Sequence, residues 1–91
     1  MRLWNMPNPA DRDDAIRQKM INECEARRRA LQLSARGFSV KAGLEPSYYG
    51  HWIAKQFQFP SVKKMKQITD AFERLEAVQA LERRLKSEAD R

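Results

Sequence analysis

One cysteine, Cys24, and one histidine, His51, stand in a chain of 91 residues. A lone thiol closes no internal disulfide, and one thiol with one imidazole supplies too few ligands for a zinc site. The same scarcity leaves no Ser/His/Asp arrangement at a usable spacing, so the expectation is a non-enzymatic protein with no catalytic residue, cofactor or metal. Apolar runs are short as well. None approaches the roughly 20 residues that a spanning helix needs, and residues 1–9 lack the apolar centre of a secretory signal. The reading is therefore a cytoplasmic protein with no membrane partner. Only three glycines and four prolines interrupt the chain, so long stretches can form regular structure.

What the sequence has in excess is positive charge. Eighteen Lys and Arg face 12 Asp and Glu, a formal charge of +6, which favours polyanions, with nucleic acid ahead of membrane. The length fits one domain rather than two.

Along the chain, residues 1–12 (MRLWNMPNPADR) carry two prolines and two asparagines and read as an arm. Trp4 either folds back onto the domain, as burial of an indole favours, or reaches along DNA with Arg2 and Arg12. From Asp13 the spacing of Ile16, Met20, Cys24 and Leu31 predicts a helix to about Leu31. Arg27, Arg28 and Arg29 near its end suit the helix dipole as a solvated cluster, and also suit phosphate. Ser34 has N-cap character for a short helix over 35–42, and Gly43 has that of a C-cap. Leu44 supplies a buried residue after the turn, and Pro46 suits the first position of a helix over 46–55. QFQFP, residues 56–60, reads as a loop whose phenylalanines cover the core. Ser61 then caps a helix with Val62, Met65, Ile68 and Phe72 inward. Over 73–91 the stripe Leu75, Val78, Leu81, Leu85 predicts a separate terminal helix that packs on its own domain or on a second copy.

The central segment explains itself physically. Two helices that cross within a few residues need small contacts, here Ser39, Ala42 and Gly43. Phe38 and Leu44 anchor the first helix and turn, and Tyr49, Trp52 and Ile53 give the second an inward face. Neighbours on a helix point about 100° apart, so Tyr48 and Tyr49 cannot both be core, and register makes Tyr49 the inward one. Ser47, Tyr48, Gly50, His51 and Lys55 remain outward. That face fits a major groove, where Ser and His meet donors and acceptors and Tyr meets thymine methyls. A glycine within a helix costs about 1 kcal/mol against alanine, so Gly50 serves either close approach to DNA or packing. Trp52 reads as core rather than as a stacking platform for RNA.

The stretch LSARGFSVKAGLEPSYYGHWIAKQFQFPSVKKMKQITDAF, residues 33–72, resembles the Cro/C1-type (XRE, lambda-repressor-like) helix-turn-helix family. The resemblance rests on SVKAGLEPSYYGHWI and on PSVKKMKQITDAF as the helix that follows. It implies an all-α fold, a compact bundle of about five helices around a central helix-turn-helix. The expected organisation is an arm over 1–12, a DNA-binding domain over 13–72 and a candidate dimerisation helix over 73–91. The family's use of the first motif helix for contacts maps onto Ala35 and Arg36. Ala35 departs from the glutamine many relatives carry there and cannot hydrogen-bond, and Gly37 and Glu45 are further departures. The expected DNA-binding residues are Arg36, Lys41, Pro46, Ser47, Tyr48, Gly50, His51 and Lys55, with Arg27, Arg28 and Lys63 as candidates for phosphate.

The function expected is that of a sequence-specific regulator of transcription, repressor- or Cro-like. It would place helix 46–55 in the major groove of a palindromic operator as a homodimer, with half-sites roughly 34 Å apart. Two alternatives are an antitoxin-type regulator that holds a protein partner through its terminal helix, and a charge-driven, non-specific nucleic-acid binder.

Overall fold

The computed structural model describes residues 9–90. The described residues form four helices: α1 (Pro9–Ala30), α2 (Ala35–Lys41), α3 (Tyr48–Ile53) and α4 (Val62–Ala89). The protein is all-α, but with four helices rather than about five, because the segments expected as separate helices on either side of residue 72 are one unbroken α4. Nothing between Ser61 and Arg91 could divide them, since that stretch holds neither Gly nor Pro. Residues 9–12 of the arm expected over 1–12 belong to α1 instead. Its residues 1–8 lie outside the described residues, and the chain is helical from Pro9, a residue suited to a first helical turn.

Ser34 and Ser61 behave as the sequence indicated. The Ser34 hydroxyl accepts from the Gly37 N–H at 2.9 Å, and that of Ser61 accepts from the Lys64 N–H at 3.2 Å. The three connections between the helices share one device at their starts. Gly43 lies at φ 76°, with Gly43 N–H bonded to Val40 O at 3.1 Å and Leu44 N–H to Ser39 O at 2.9 Å, the Schellman pattern. Gln32 at φ 59° ends α1 with the same pair of bonds, and Lys55 at φ 64° ends α3 with Lys55 N–H to Trp52 O and Gln56 N–H to His51 O.

A small aromatic core draws on every helix. Ile21 of α1, Phe38 of α2, Leu44 of the turn, Tyr49 and Trp52 of α3, and Ile68, Ala71 and Phe72 of α4 are buried. The Phe38 ring stacks on Phe72 at 4.2 Å between centroids and meets Tyr49 edge-on at 5.0 Å. α4 stays tied to the body beyond Phe72: Arg27 bonds Glu76 through two nitrogens at 2.8 and 2.7 Å, and Gln79 donates to Ala30 O at 2.9 Å. Past Gln79 the helix projects. The radius of gyration, 17.1 Å, exceeds the value of about 12 Å for a compact domain of this length, and the long axis measures 64 Å.

Candidate nucleic-acid interface

The α2–turn–α3 pair is set by a hydrogen bond from outside α3. Ser47 occupies the N-cap position of α3, yet its hydroxyl makes no cap bond. Instead, the fully buried Ser39 hydroxyl of α2 accepts from the Tyr49 N–H at 3.0 Å. One side chain thus satisfies an orphan donor of α3 and fixes where that helix crosses α2. The sequence indicated a small residue at Ser39 but not this bond, because an N-cap is sought next to its helix, not ten residues upstream.

A second tie runs to α1. The Tyr49 hydroxyl donates to Glu25 Oε2 at 2.9 Å, and Arg28 grips the same carboxylate through Nε at 2.6 Å and Nη2 at 3.0 Å. Its remaining Nη1 donates to Leu33 O at 2.6 Å, which holds the α1–α2 connection. The Arg28 bonds, reinforced by Tyr49, hold the Glu25 carboxyl below the usual carboxylate range, against the opposing effect of burial. Burial first, then the adjacent Glu25, raises the Tyr49 phenol.

These ties change the standing of two expected phosphate contacts. Arg28 is 17% exposed and its donors are taken within the fold. Arg27 pairs with Glu76 and lies over the Phe72 ring, 4.7 Å from its centroid. Both serve the α1 seam of the fold. Lys63, the third, is exposed at the start of α4.

α3 itself is shorter than expected, Tyr48–Ile53 against 46–55. Pro46 and Ser47 form the turn before it, closed by Tyr48 N–H to Glu45 O at 2.9 Å, and Lys55 is the left-handed residue after it. Pro46, Ser47, His51 and Lys55 are exposed, while Tyr49 and Trp52 are buried and Ile53 is half-buried against the core. Tyr48 stands between the two faces. It is half-buried, its ring 5.1 Å from that of Phe57 and under the Lys64 ammonium at 5.2 Å. Lys64 is not among the expected contact residues; its place beside Tyr48 depends on where the 54–61 loop delivers α4.

On the opposite flank, Gly50 faces the start of α2. A β-carbon added there would meet only the Ala35 methyl, at 3.9 Å, an ordinary contact, and Gly50 is not among the residues at positive φ. Packing among the described residues therefore does not require glycine. Arg36 is exposed beside Ala35, whereas Lys41 lies at the far end of α2, where Arg74 of α4 donates to its carbonyl at 2.6 Å. Lys41 borders a shallow hollow with Leu33, Leu75, Val78 and Glu82, so it belongs to the α4 side of the molecule. Gly50 thus adjoins Ala35 of α2 and Tyr48 adjoins Lys64 of α4, and Ser47 and His51 of the same segment are exposed. No protein-family model, curated protein or solved structure matches this chain.

Proposed function

We propose that the protein is a DNA-binding regulator of the lambda-repressor-like helix-turn-helix kind, which sets α3 into the major groove of duplex DNA. The observation that carries this reading is the outward face of α3. A glycine that packing does not require lies between exposed His51 and the start of α2, on a helix held by its buried face through Ser39 and Glu25. Such a face lets a backbone approach a base edge closely, with His51 and Ser47 beside it and Arg36, Lys55, Lys63 and Lys64 at the rim. Tied to α2 and to α1, α3 presents these groups with little freedom to lose on binding.

The projecting part of α4 supports a two-fold assembly. Leu81 and Leu85 are 52 and 54% exposed on a helix whose other residues there are mainly charged, and Val78, 47% exposed, lies on the body side of them. Pairing that stripe with a second copy would give the assembly two α3 helices, as a palindromic operator requires. The antitoxin-type alternative uses the same stripe for a different chain, so the mass in solution separates them: a stable homodimer supports the regulator, a monomer that dimerises with nothing but a foreign chain supports the other.

Selection of duplexes from a random pool, followed by competition at physiological salt, tests the central reading. Preference for one sequence above tenfold over random duplex is expected; less than tenfold makes the protein a charge-driven binder. His51→Ala should alter which sequence is preferred, and Lys55→Ala should weaken all sequences alike and flatten the salt dependence.

A further inference from the structure

The exposed leucines of α4 belong to a longer strip: Arg74, Val78, Leu81, Leu85 and Glu88, spaced four, three, four and three apart. At 100° and 1.5 Å per residue the five fall within a sector about 80° wide and about 21 Å long. All five are exposed. Apolar side chains occupy the middle of the strip, and opposite charges its two ends. The body end adjoins a hollow of about 200 Å³, lined by Leu31, Leu33, Leu75 and Val78 and bordered by Lys41, Gln79 and Glu82. There Arg74 donates through Nη2 to Lys41 O at 2.6 Å, so a guanidinium stands at the end of α2. At the free end Glu88 faces Arg84 at 3.5 Å, an exposed pair of little strength.

Resting on the homodimer of the regulator reading, we propose that this strip is an antiparallel seam between two copies of the chain. Leu81 lies on the two-fold axis, Val78 packs against Leu85 of the second copy, and Arg74 pairs with its Glu88. The spacing allows this, because the strip extends seven residues either way from Leu81 and reversal exchanges Arg74 with Glu88. Charge selects the direction. Antiparallel copies set a guanidinium against a carboxylate at both ends of the seam, whereas parallel copies set Arg74 against Arg74 and Glu88 against Glu88. Opposed helix dipoles favour the same direction. Glu82, about 100° round from Leu81, meets its own copy near the axis, but at the solvent edge, where like charges cost less than within the seam. Size argues for the overlap too. Two leucines and a valine, each about half exposed, fall short of the roughly 1,200 Å² that a stable dimer buries. The antiparallel register adds to them by carrying each tip back over the other copy's hollow, where Leu85 meets Leu33 and Leu75 beside Val78.

Sedimentation of the full chain over a dilution series, without DNA, tests the register. The unsubstituted chain is expected to dimerise. Arg74→Glu and Glu88→Arg should each raise the dissociation constant about tenfold, since each reverses two contacts per dimer, and the double variant should return it to within about threefold. Glu88 lies in the projecting half, so Glu88→Arg should leave the helical circular dichroism and urea unfolding of the monomer unchanged, which separates a broken seam from a broken fold. A dimer indifferent to both reversals, or one that the double variant does not restore, overturns the antiparallel seam and leaves the homodimer standing. A chain monomeric at every concentration removes the homodimer and the seam together. Neither result touches the duplex selection, on which the DNA reading stands or falls.

Discussion

The two halves of α4 are built from the same kinds of residue and do opposite things. From Val62 to Glu76 the helix lends Ile68, Ala71 and Phe72 to the core and is tied to α1 by Arg27 and to α2 by Arg74. From Ala80 onward every described residue is exposed, and leucines at 81 and 85 face solvent. The difference does not lie in helix propensity, which is high throughout, but in what stands opposite. A helix this long is held as a unit by its packed half, so its free half remains ordered enough to present a stripe without a core behind it. Stability is thereby assigned to one stretch of the helix, and, under the proposed function, assembly to the other.

That division is most sharply broken by paired truncations. Phe72→Ala removes a ring stacked on Phe38 and beneath Arg27, and should cost about 3–5 kcal/mol in urea unfolding. Leu85→Ala should leave the unfolding of the monomer within about 0.5 kcal/mol and act only on the concentration dependence of the measured mass. A Leu85→Ala loss as large as that of Phe72→Ala at all concentrations would unite the two halves in one core. Ser39→Ala comes next, at about 1–3 kcal/mol, because it strands the buried Tyr49 N–H. Its loss should be matched by disturbed chemical shifts in α3 and not in the projecting part of α4.

Acid should also discriminate between the halves. Glu25 has its carboxyl depressed by Arg28, so the stability it contributes is present above the ordinary carboxylate range and is lost as pH falls through its lower folded value. Glu25→Gln should therefore lower stability at neutral pH and flatten the fall below the carboxylate range, measured by thermal unfolding across that window. Glu82→Gln and Glu88→Gln in the projecting half should leave stability at neutral pH within about 0.5 kcal/mol. Cys24 belongs with the packed half: burial, opposed by Arg27, pushes its thiol up to about 11, so alkylation at neutral pH should be slow until the chain unfolds.

Much of the body was readable from local pattern. Caps at Ser34 and Ser61, the turn at Gly43, and the inward set Phe38, Leu44, Tyr49 and Trp52 each depend on a residue's own neighbours along the chain, and those neighbours are in the sequence. The expected boundary at residue 72 is absent because the apolar pattern changes there with the surroundings of α4 and not with a break in the helix. The ends of α3 differ from the expected ones for another reason. Lys55 and Gln32 perform a glycine's task without being glycine, and Pro46 starts a turn as readily as a helix. The Ser39–Tyr49, Glu25–Tyr49 and Lys64–Tyr48 contacts join residues distant in sequence, and no local signal carries them.

The smallest expected effects bear most directly on the outward face. Lys55→Gly relieves a left-handed conformation that an L side chain adopts at some cost, and should add up to about 1 kcal/mol of stability while weakening DNA binding evenly, since it removes a charge at the rim. Gly50→Ala should likewise stabilise the free protein, by about 0.5–1 kcal/mol, because the new methyl finds only an ordinary contact with Ala35 and the helix gains in propensity. The two gains diverge on DNA. If the backbone of Gly50 approaches a base edge, the methyl has to be accommodated in that contact, and Gly50→Ala loses at least tenfold in affinity for the selected duplex with little change for random duplex. A variant that is both more stable and undiminished in its preferred binding would place the DNA elsewhere than on α3. Stability and binding measured on one methyl group then separate what this helix needs in order to fold from what it is kept free to do.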